Sequence, residues 1–412
     1  MAIRAAIPAA AFDAAAARQD FPLLRAQPGL AYLDNAATTQ KPEAVLDALR
    51  HFYTDECSNI HRSVHQLGER ATARYEAARR GVQRFLNAGS EKEIIFVRGT
   101  TEAINLVAQT FSRSQLKPGD EVLITGLEHH SNIVPWQLAC EASGAKLRVA
   151  AINERGEVPL EAFEQGLGPR TRIAAFAHIS NALGTVNPVA EMIARAHARG
   201  VPVLVDGAQA APHVAVDVQA LDCDFYALSG HKMYGPTGIG VLYGKQEWLE
   251  RLPPWQGGGD MISSVTFERT SYNELPYKFE AGTPNIAATI GLGAAVDYLE
   301  HLDRAALAAY EQDLLAHGTQ LLEGMAGVRL IGTAAHKAGV LSFVVEGVHP
   351  HDVGTVLDSV GVAVRSGHHC AQPVMDRFEI PATTRASLGL YNTRQDLDRL
   401  AEGLKKVQEM FR

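Results

Sequence analysis

What this 412-residue chain lacks narrows its class before any motif is read. It carries no excess of positive charge. Lys and Arg number 38 against 46 Asp and Glu, a formal net charge of −8, which argues against nucleic acid or an anionic membrane as the main ligand. No apolar run is long enough to span a bilayer. The alanine-rich start, Met1 to Ala17, has no compact apolar stretch before a cleavage site, and Asp13 interrupts it, so it is not read as a secretory signal. Cysteine is scarce: Cys57, Cys140, Cys223 and Cys370 form no CxxC pair, which favours free thiols in a reducing cytosol. No GxGxxG turn opens a strand-to-helix unit, which disfavours a dinucleotide-binding oxidoreductase. There is no internal repeat, and no low-complexity segment beyond the start.

Hydrophobic residues make up 46% of the chain, enough for a sizeable core, and the length gives a prior of two to three domains. From Ile94 to Tyr243 short apolar runs alternate with helical patterns. They are Ile94–Val97, Asp120–Thr125, Lys146–Ala151, Thr171–Ile179, Val201–Val205, Phe225–Leu228 and Ile239–Tyr243, with helical patterns at 103–111, 136–143 and 189–199 between them. This alternation predicts a largely parallel, doubly wound sheet. Upstream, Ala31–Thr38 reads as a short strand running into a small-residue turn, followed by helices over 42–53 and 68–86. Downstream, a helical stretch over about 286–325 is long enough to require a break, and residues from Val328 on read as a second, α+β unit.

The residues that carry chemistry lie where strands end, the place at which open α/β sheets bind ligands. Lys232 follows the Phe225–Leu228 run in Ser229-Gly230-His231-Lys232. A Lys there is either simply solvated or a buried amine that suits a Schiff base with an aldehyde cofactor. Asp206 ends the all-apolar run Val201–Val205, where a carboxylate is costly unless it meets a cation, such as a protonated pyridine nitrogen. Thr100 and Thr101 follow a strand and open a helix, which fits a phosphate site or merely a cap. His129, after the Asp120–Thr125 run, can stack on a planar ring or move protons. Cys370, in Arg365-Ser366-Gly367-His368-His369-Cys370, sits on a polar loop beside an arginine and two histidines, a setting that favours thiolate. Arg385 is a candidate fork for a substrate carboxylate. Metal readings are weaker. His61 and His65 are four apart but lack the Glu of HExxH, and the adjacent His368, His369 and Cys370 do not all point at one ion.

Arg-Gly-Thr-Thr-Glu, Glu-His-His-Ser-Asn, Val-Asp-Gly-Ala-Gln, Ser-Gly-His-Lys-Met-Tyr-Gly-Pro and Arg-Ser-Gly-His-His-Cys-Ala, in this chain's order, together resemble one family. It is the Suf-type (group II) pyridoxal-phosphate-dependent cysteine desulfurases of the class V aminotransferases, and the likeness runs from about Phe12 onward. The resemblance implies a fold-type I, aminotransferase-like homodimer. Residues 30–295 would form the large domain that binds pyridoxal 5'-phosphate. Residues 1–29 and 296–412 would form a smaller α+β domain carrying the cysteine loop. Lys232 would hold the cofactor, Asp206 its ring nitrogen and Gln209 its phenolic oxygen, with His129 stacked on the ring. Thr100, Thr101, Ser229 and His231 would bind its phosphate, with Thr283 reaching in from the second subunit. Asn181, Arg365, Arg385 and His61 would meet the substrate, L-cysteine, and Cys370 would attack its sulfur. The resemblance further implies a role in iron–sulfur cluster assembly, with a sulfur-acceptor protein of the SufE or SufU kind taking the persulfide. The rival readings are a selenocysteine lyase on the same fold and a non-catalytic cofactor-binding scaffold.

Overall fold

The computed structural model describes residues 12–411, so the alanine-rich start lies outside them as far as residue 11. The alternation of apolar runs and helices builds one seven-stranded sheet. Its spatial order is Ile94–Val97, Gly240–Gly244, Phe225–Ser229, Val203–Asp206, Thr171–Ala177, Glu121–Thr125 and Lys146–Ala150. Neighbours pair in parallel except for Gly240–Gly244, which is antiparallel to both strands beside it. Near-continuous apolar strands suit a sheet covered on both faces. Phe225 and Ala227 face one core with Leu204, Ile95 and Trp136, while Tyr226 and Leu228 face the other with Val203, Val205 and Phe96.

The helical stretch after residue 285 is two helices, Ile286–Glu300 and Arg304–Glu323. Asp303 makes the break by capping the second, its Oδ1 accepting from the Ala305 and Ala306 amides at 3.1 and 3.0 Å. Beyond it, Val328–Ile331, Val340–Val345, Thr383–Ser387 and Arg365–Gly367 form an antiparallel sheet in that order. Leu341, Phe343 and Ala386 bury one face of it with Leu314, Leu397 and Leu404. Ala31–Tyr32 pairs in parallel with Val362–Ala363, and Asp34 bridges to Ser387.

Two segments depart from the sequence expectations. The helix expected over 42–53 is Glu43–His51, followed by a wider turn over Phe52–Glu56. Residues 262–272, whose polar Ser and Thr content gave no strand pattern, form a solvent-exposed antiparallel hairpin of Ile262–Val265 and Thr270–Tyr272.

One buried ion pair ties three elements together. Arg79, on the helix Gln66–Phe85, is 1% exposed. It donates to the Glu280 carboxylate at 2.8 and 2.9 Å and to the Ile94 carbonyl at 2.7 Å, and its guanidinium lies 4.6 Å from the Phe96 ring centroid. Glu280 also accepts the Phe96 amide at 2.7 Å. Replacing Arg79 by Met leaves a buried carboxylate without its cation. The expected loss is about 3–5 kcal/mol of stability, read from the denaturant midpoint. An Arg79→Met protein as stable as the parent would mean that the pair contributes nothing.

Candidate active site

At the C-terminal ends of the central strands the two sheets face each other across a cavity of ≈ 590 Å³. Thr100, Thr101, His129, Asn181, Asp206, Gln209, Ser229, His231, Lys232, Arg365, Cys370 and Arg385 all line it, brought together from nearly the whole length of the chain. Two sequence candidates lie elsewhere. Thr283 is exposed on a loop and lines a separate cavity with Gly238, Asn285 and Trp255. His61 is exposed and pairs through Nε2 with Glu76 at 2.8 Å.

Asp206 ends its strand buried, with Oδ1 accepting from the Ala208 amide at 3.0 Å. Gly207 follows because the Tyr226 ring fills the space there, and a Cβ would fall 2.0 Å from Tyr226 Cε1. Burial raises the Asp206 pKa above the ordinary carboxylate value, against the pull of the Ala208 amide and Lys232. Burial lowers the Lys232 pKa below that of a free amine, with Asp206 opposing and Arg385 assisting. The site therefore disfavours each charge alone, and a lowered amine pKa leaves more of Lys232 unprotonated and able to act as a nucleophile than a solvated lysine would be.

His129 is neutral. Burial, with Lys232, His130 and Arg385, pushes its pKa down to about 3. Its Nδ1 accepts from the Ser131 amide at 3.0 Å, which assigns the remaining proton to Nε2. The cavity's far end is the N-terminus of the helix Thr100–Gln115. Its N-cap is Gly99, which makes no side-chain cap bond, so the first-turn amides after Thr100 are left to an external acceptor. The Thr100 amide and hydroxyl meet Ser229 Oγ at 2.9 and 2.8 Å. Gly240 permits this approach, since a Cβ on it would lie 2.5 Å from Gly99 Cα.

Arg385, on Thr383–Ser387, is 2% exposed. It donates through Nη1 to the Asn181 carbonyl at 2.8 Å and reaches Asp34 at 3.5 Å, while its buried Nε has no partner. Arg365 takes the same Asp34 carboxylate in a fork, Nε at 3.1 Å and Nη2 at 2.8 Å. One carboxylate thus serves two guanidiniums, and an orphaned donor remains beside the cavity.

Cys370 is exposed on the short connection between Arg365–Gly367 and the helix Gln372–Arg377. Its backbone is held firmly. The His130 amide donates to the Cys370 carbonyl at 2.7 Å, Asn181 Nδ2 donates to the His369 carbonyl at 2.6 Å, and His369 Nε2 meets Thr383 Oγ1 at 2.8 Å. His369 and Cys370 both have left-handed backbones, φ +55° and +53°, conformations that non-glycine residues keep only where neighbours impose them. Cys57 is also exposed, whereas Cys140 and Cys223 are buried, with thiol pKa values raised by burial.

Sequence reading missed Asp34 and Glu128. Glu128 is buried directly before His129. It accepts from Asn132 Nδ2 at 2.6 Å and the Ala177 amide at 3.2 Å, and burial lifts its carboxyl to about 8. A Glu closing an apolar strand run was the available signal for it. Asp34 offered none, because its arginine partners stand more than 300 residues away.

These residues fit pyridoxal phosphate on the structure's own terms. Asp206 is a buried carboxylate in want of a cation, and Lys232 is a half-buried amine near it. An uncapped helix start can take a phosphate, and a free arginine Nε can take a carboxylate. The family model described as Aminotransferase class-V matches residues 31–400. A curated cysteine desulfurase of Synechococcus elongatus is 54% identical over 403 residues, 97% of this chain, and this chain spans 64% of that protein's length. Another cysteine desulfurase, from an Enterobacter species, is 51% identical over 398 residues, 96% of this chain and 98% of that one. Among solved structures, the Escherichia coli cysteine desulfurase CsdA superposes with a TM-score of 0.91 at 43% identity, covering 97% of this chain and 100% of that one.

Proposed function

This chain belongs to the class-V aminotransferase family, whose members work with pyridoxal 5'-phosphate, and from that premise we propose that it is a cysteine desulfurase. It would convert L-cysteine to L-alanine and hold the released sulfur on Cys370. The observation that carries the reading is a single cavity lined by Lys232, Asp206 and Cys370.

In this reading Lys232 holds the cofactor, Asp206 and Gln209 take its ring nitrogen and phenolic oxygen, and His129 stacks on the ring. Thr100, Thr101, Ser229 and His231 receive the phosphate, joined by Thr283 of a second copy in a homodimer. When bound, the cofactor draws electron density from the substrate Cα. The chain does the rest. Arg385, through its free Nε, and Asn181 orient the substrate carboxylate, and Arg365 shares the Asp34 anchor beneath it. His61, paired with Glu76 outside the cavity, is proposed as a further substrate contact. Lys232, its pKa lowered by burial, removes the Cα proton and later returns one. Cys370 Sγ forms a bond to the substrate sulfur as the substrate's Cβ–Sγ bond breaks. That bond's electron pair stays with the carbon fragment, which gains a proton and leaves as alanine, while Cys370 is left as a persulfide. A thiol on an acceptor protein, of the SufE or SufU kind, then takes the outer sulfur by exchange.

We assign the cofactor to the unit of residues 30–295 and the cysteine loop to the smaller unit of 1–29 and 296–412. Iron–sulfur cluster assembly in the cytoplasm is the proposed setting. Among the described residues no helix is long and apolar enough to cross a membrane. The test is to treat the purified, cofactor-loaded protein with L-cysteine and no acceptor. Alanine should appear in a stoichiometric burst, and the Cys370 peptide should gain one sulfur atom by mass. Pyruvate in place of alanine, or no added sulfur on that peptide, would replace desulfuration with a lyase reaction.

A further inference from the structure

The peptide between His231 and Lys232 is gripped from outside its own strand. The His231 carbonyl oxygen has two lone pairs, yet four donors converge on it: the Thr39 amide at 3.0 Å, the Thr38 and Thr39 hydroxyls at 3.1 Å each, and Lys41 Nζ at 3.2 Å. The Thr39 hydroxyl also accepts from the Tyr234 amide at 2.8 Å, so one side chain holds the turn on both sides of Lys232. That turn needs holding, because Tyr234 has φ +67°, a left-handed backbone for a residue with a side chain. Lys41 is the only charged member of the grip. Its ammonium also meets Thr38 Oγ1 and the Thr39 carbonyl, and it is desolvated without a paired carboxylate among the described residues. A cation kept unpaired in this way lies where its charge acts on the dipoles it touches, and those belong to the Lys232 turn.

We propose that Lys41 is a positioning residue. With Thr38 and Thr39 it clamps the His231 carbonyl and so fixes the direction in which Lys232 leaves the turn. The inference rests on the reading that Lys232 carries the cofactor, and it adds a second lysine, distant in sequence, on which the first depends. Lys41 does not line the cavity, so it acts only through His231 and Lys232.

Hydrogen exchange on the full-length, cofactor-loaded protein tests the clamp directly. In Lys41→Met the amides of residues 229–235, that of Tyr234 above all, should exchange about tenfold faster, while the rest of the chain keeps its parental rates. Lys41→Arg, which keeps the cation, should restore protection. Thr39→Val, which removes the bridging hydroxyl, should loosen the same segment. With L-cysteine, Lys41→Met should lose kcat severalfold at unchanged KM, because Arg385 and Asn181 are untouched. Unchanged exchange at 229–235 in a folded Lys41→Met protein, or a rise spread evenly over the chain, would overturn the proposal. Borohydride reduction and peptide mapping judge the underlying reading separately. Cofactor found on another lysine would remove the catalytic meaning of the clamp even where the exchange result holds.

Discussion

Replacing Cys370 by Ala is expected to lower alanine release from L-cysteine by about a thousandfold or more, the scale of losing an attacking nucleophile. The thiolate of cysteine leaves carbon poorly, so the reaction needs a group that takes the sulfur as the carbon–sulfur bond breaks. Cys370 is the thiol that lines the cavity with Lys232, and its loop is pinned there by His130, Asn181 and Thr383. The substitution removes one exposed sulfur and leaves those backbone bonds intact, so binding of cysteine should survive. Selenocysteine separates the readings: selenolate leaves carbon more readily than thiolate, and where it takes the bond's electron pair with it the carbon fragment ends as pyruvate and ammonia, with no need of Cys370. Alanine and pyruvate produced per minute from each substrate, by the parent and by Cys370→Ala, are the measurement. Persistent cysteine turnover in the variant would remove Cys370 from the mechanism and direct attention to Cys57, the other exposed thiol.

Lys232→Ala should be at least as severe. It removes the amine proposed to move the Cα proton, a loss of about a thousandfold or more, and with it the proposed covalent attachment. Asp206 loses the lysine that acts on it and, in the proposed binding mode, would rely on the cofactor's ring nitrogen for a cation. The variant should therefore still bind the cofactor, but release it on denaturation without any borohydride-fixed peptide. Mixing Lys232→Ala protomers with Thr283→Ala protomers extends the test to the proposed homodimer. If Thr283 completes the second copy's site, each mixed dimer has one site with both defects and one with neither, and a fully exchanged equal mixture, half of it mixed dimers, should approach about a quarter of the parental activity. No recovery after verified subunit exchange would mean that each site is built from one chain.

The large sheet was legible because most of its strands are apolar runs too short for a helix that end in polar turns; the exposed edge strand Lys146–Ala150 is the exception. Ile94–Val97 and Phe225–Leu228 were read to within a residue. The helix at Thr100 was read as starting later, because Thr100 and Thr101 look like caps, whereas Gly99 is the N-cap and Thr100 is already helical. A break in the stretch 286–325 was expected from its length and its glycines, without a position; it falls near residue 302, and Asp303 supplies its cause. At the site, strand-end residues such as Asp206, Lys232 and His129 announced themselves by chemistry that is costly where it stands. Asp34 and Lys41 did not. Each is meaningful through partners distant in sequence, Arg365 and Arg385 for one and His231 for the other, and such partners leave no local pattern. The exposed hairpin at 262–272 escaped for the opposite reason: a strand pair with little to bury needs no apolar alternation.

The pairing of residues 31–34 with residues 362–363 and 387 has a consequence for synthesis. An early-made segment waits for strands translated more than 300 residues later. Ribosomes add about 5–20 residues per second, so for tens of seconds Ala31 and Leu33, both buried in the finished chain, have no partner to cover them. The cavity shares that delay, since Arg385 and Cys370 arrive last of its lining. Cofactor capture at a complete site is therefore a late, post-translational event, and the nascent chain is a natural client for chaperones until the final strand is in place.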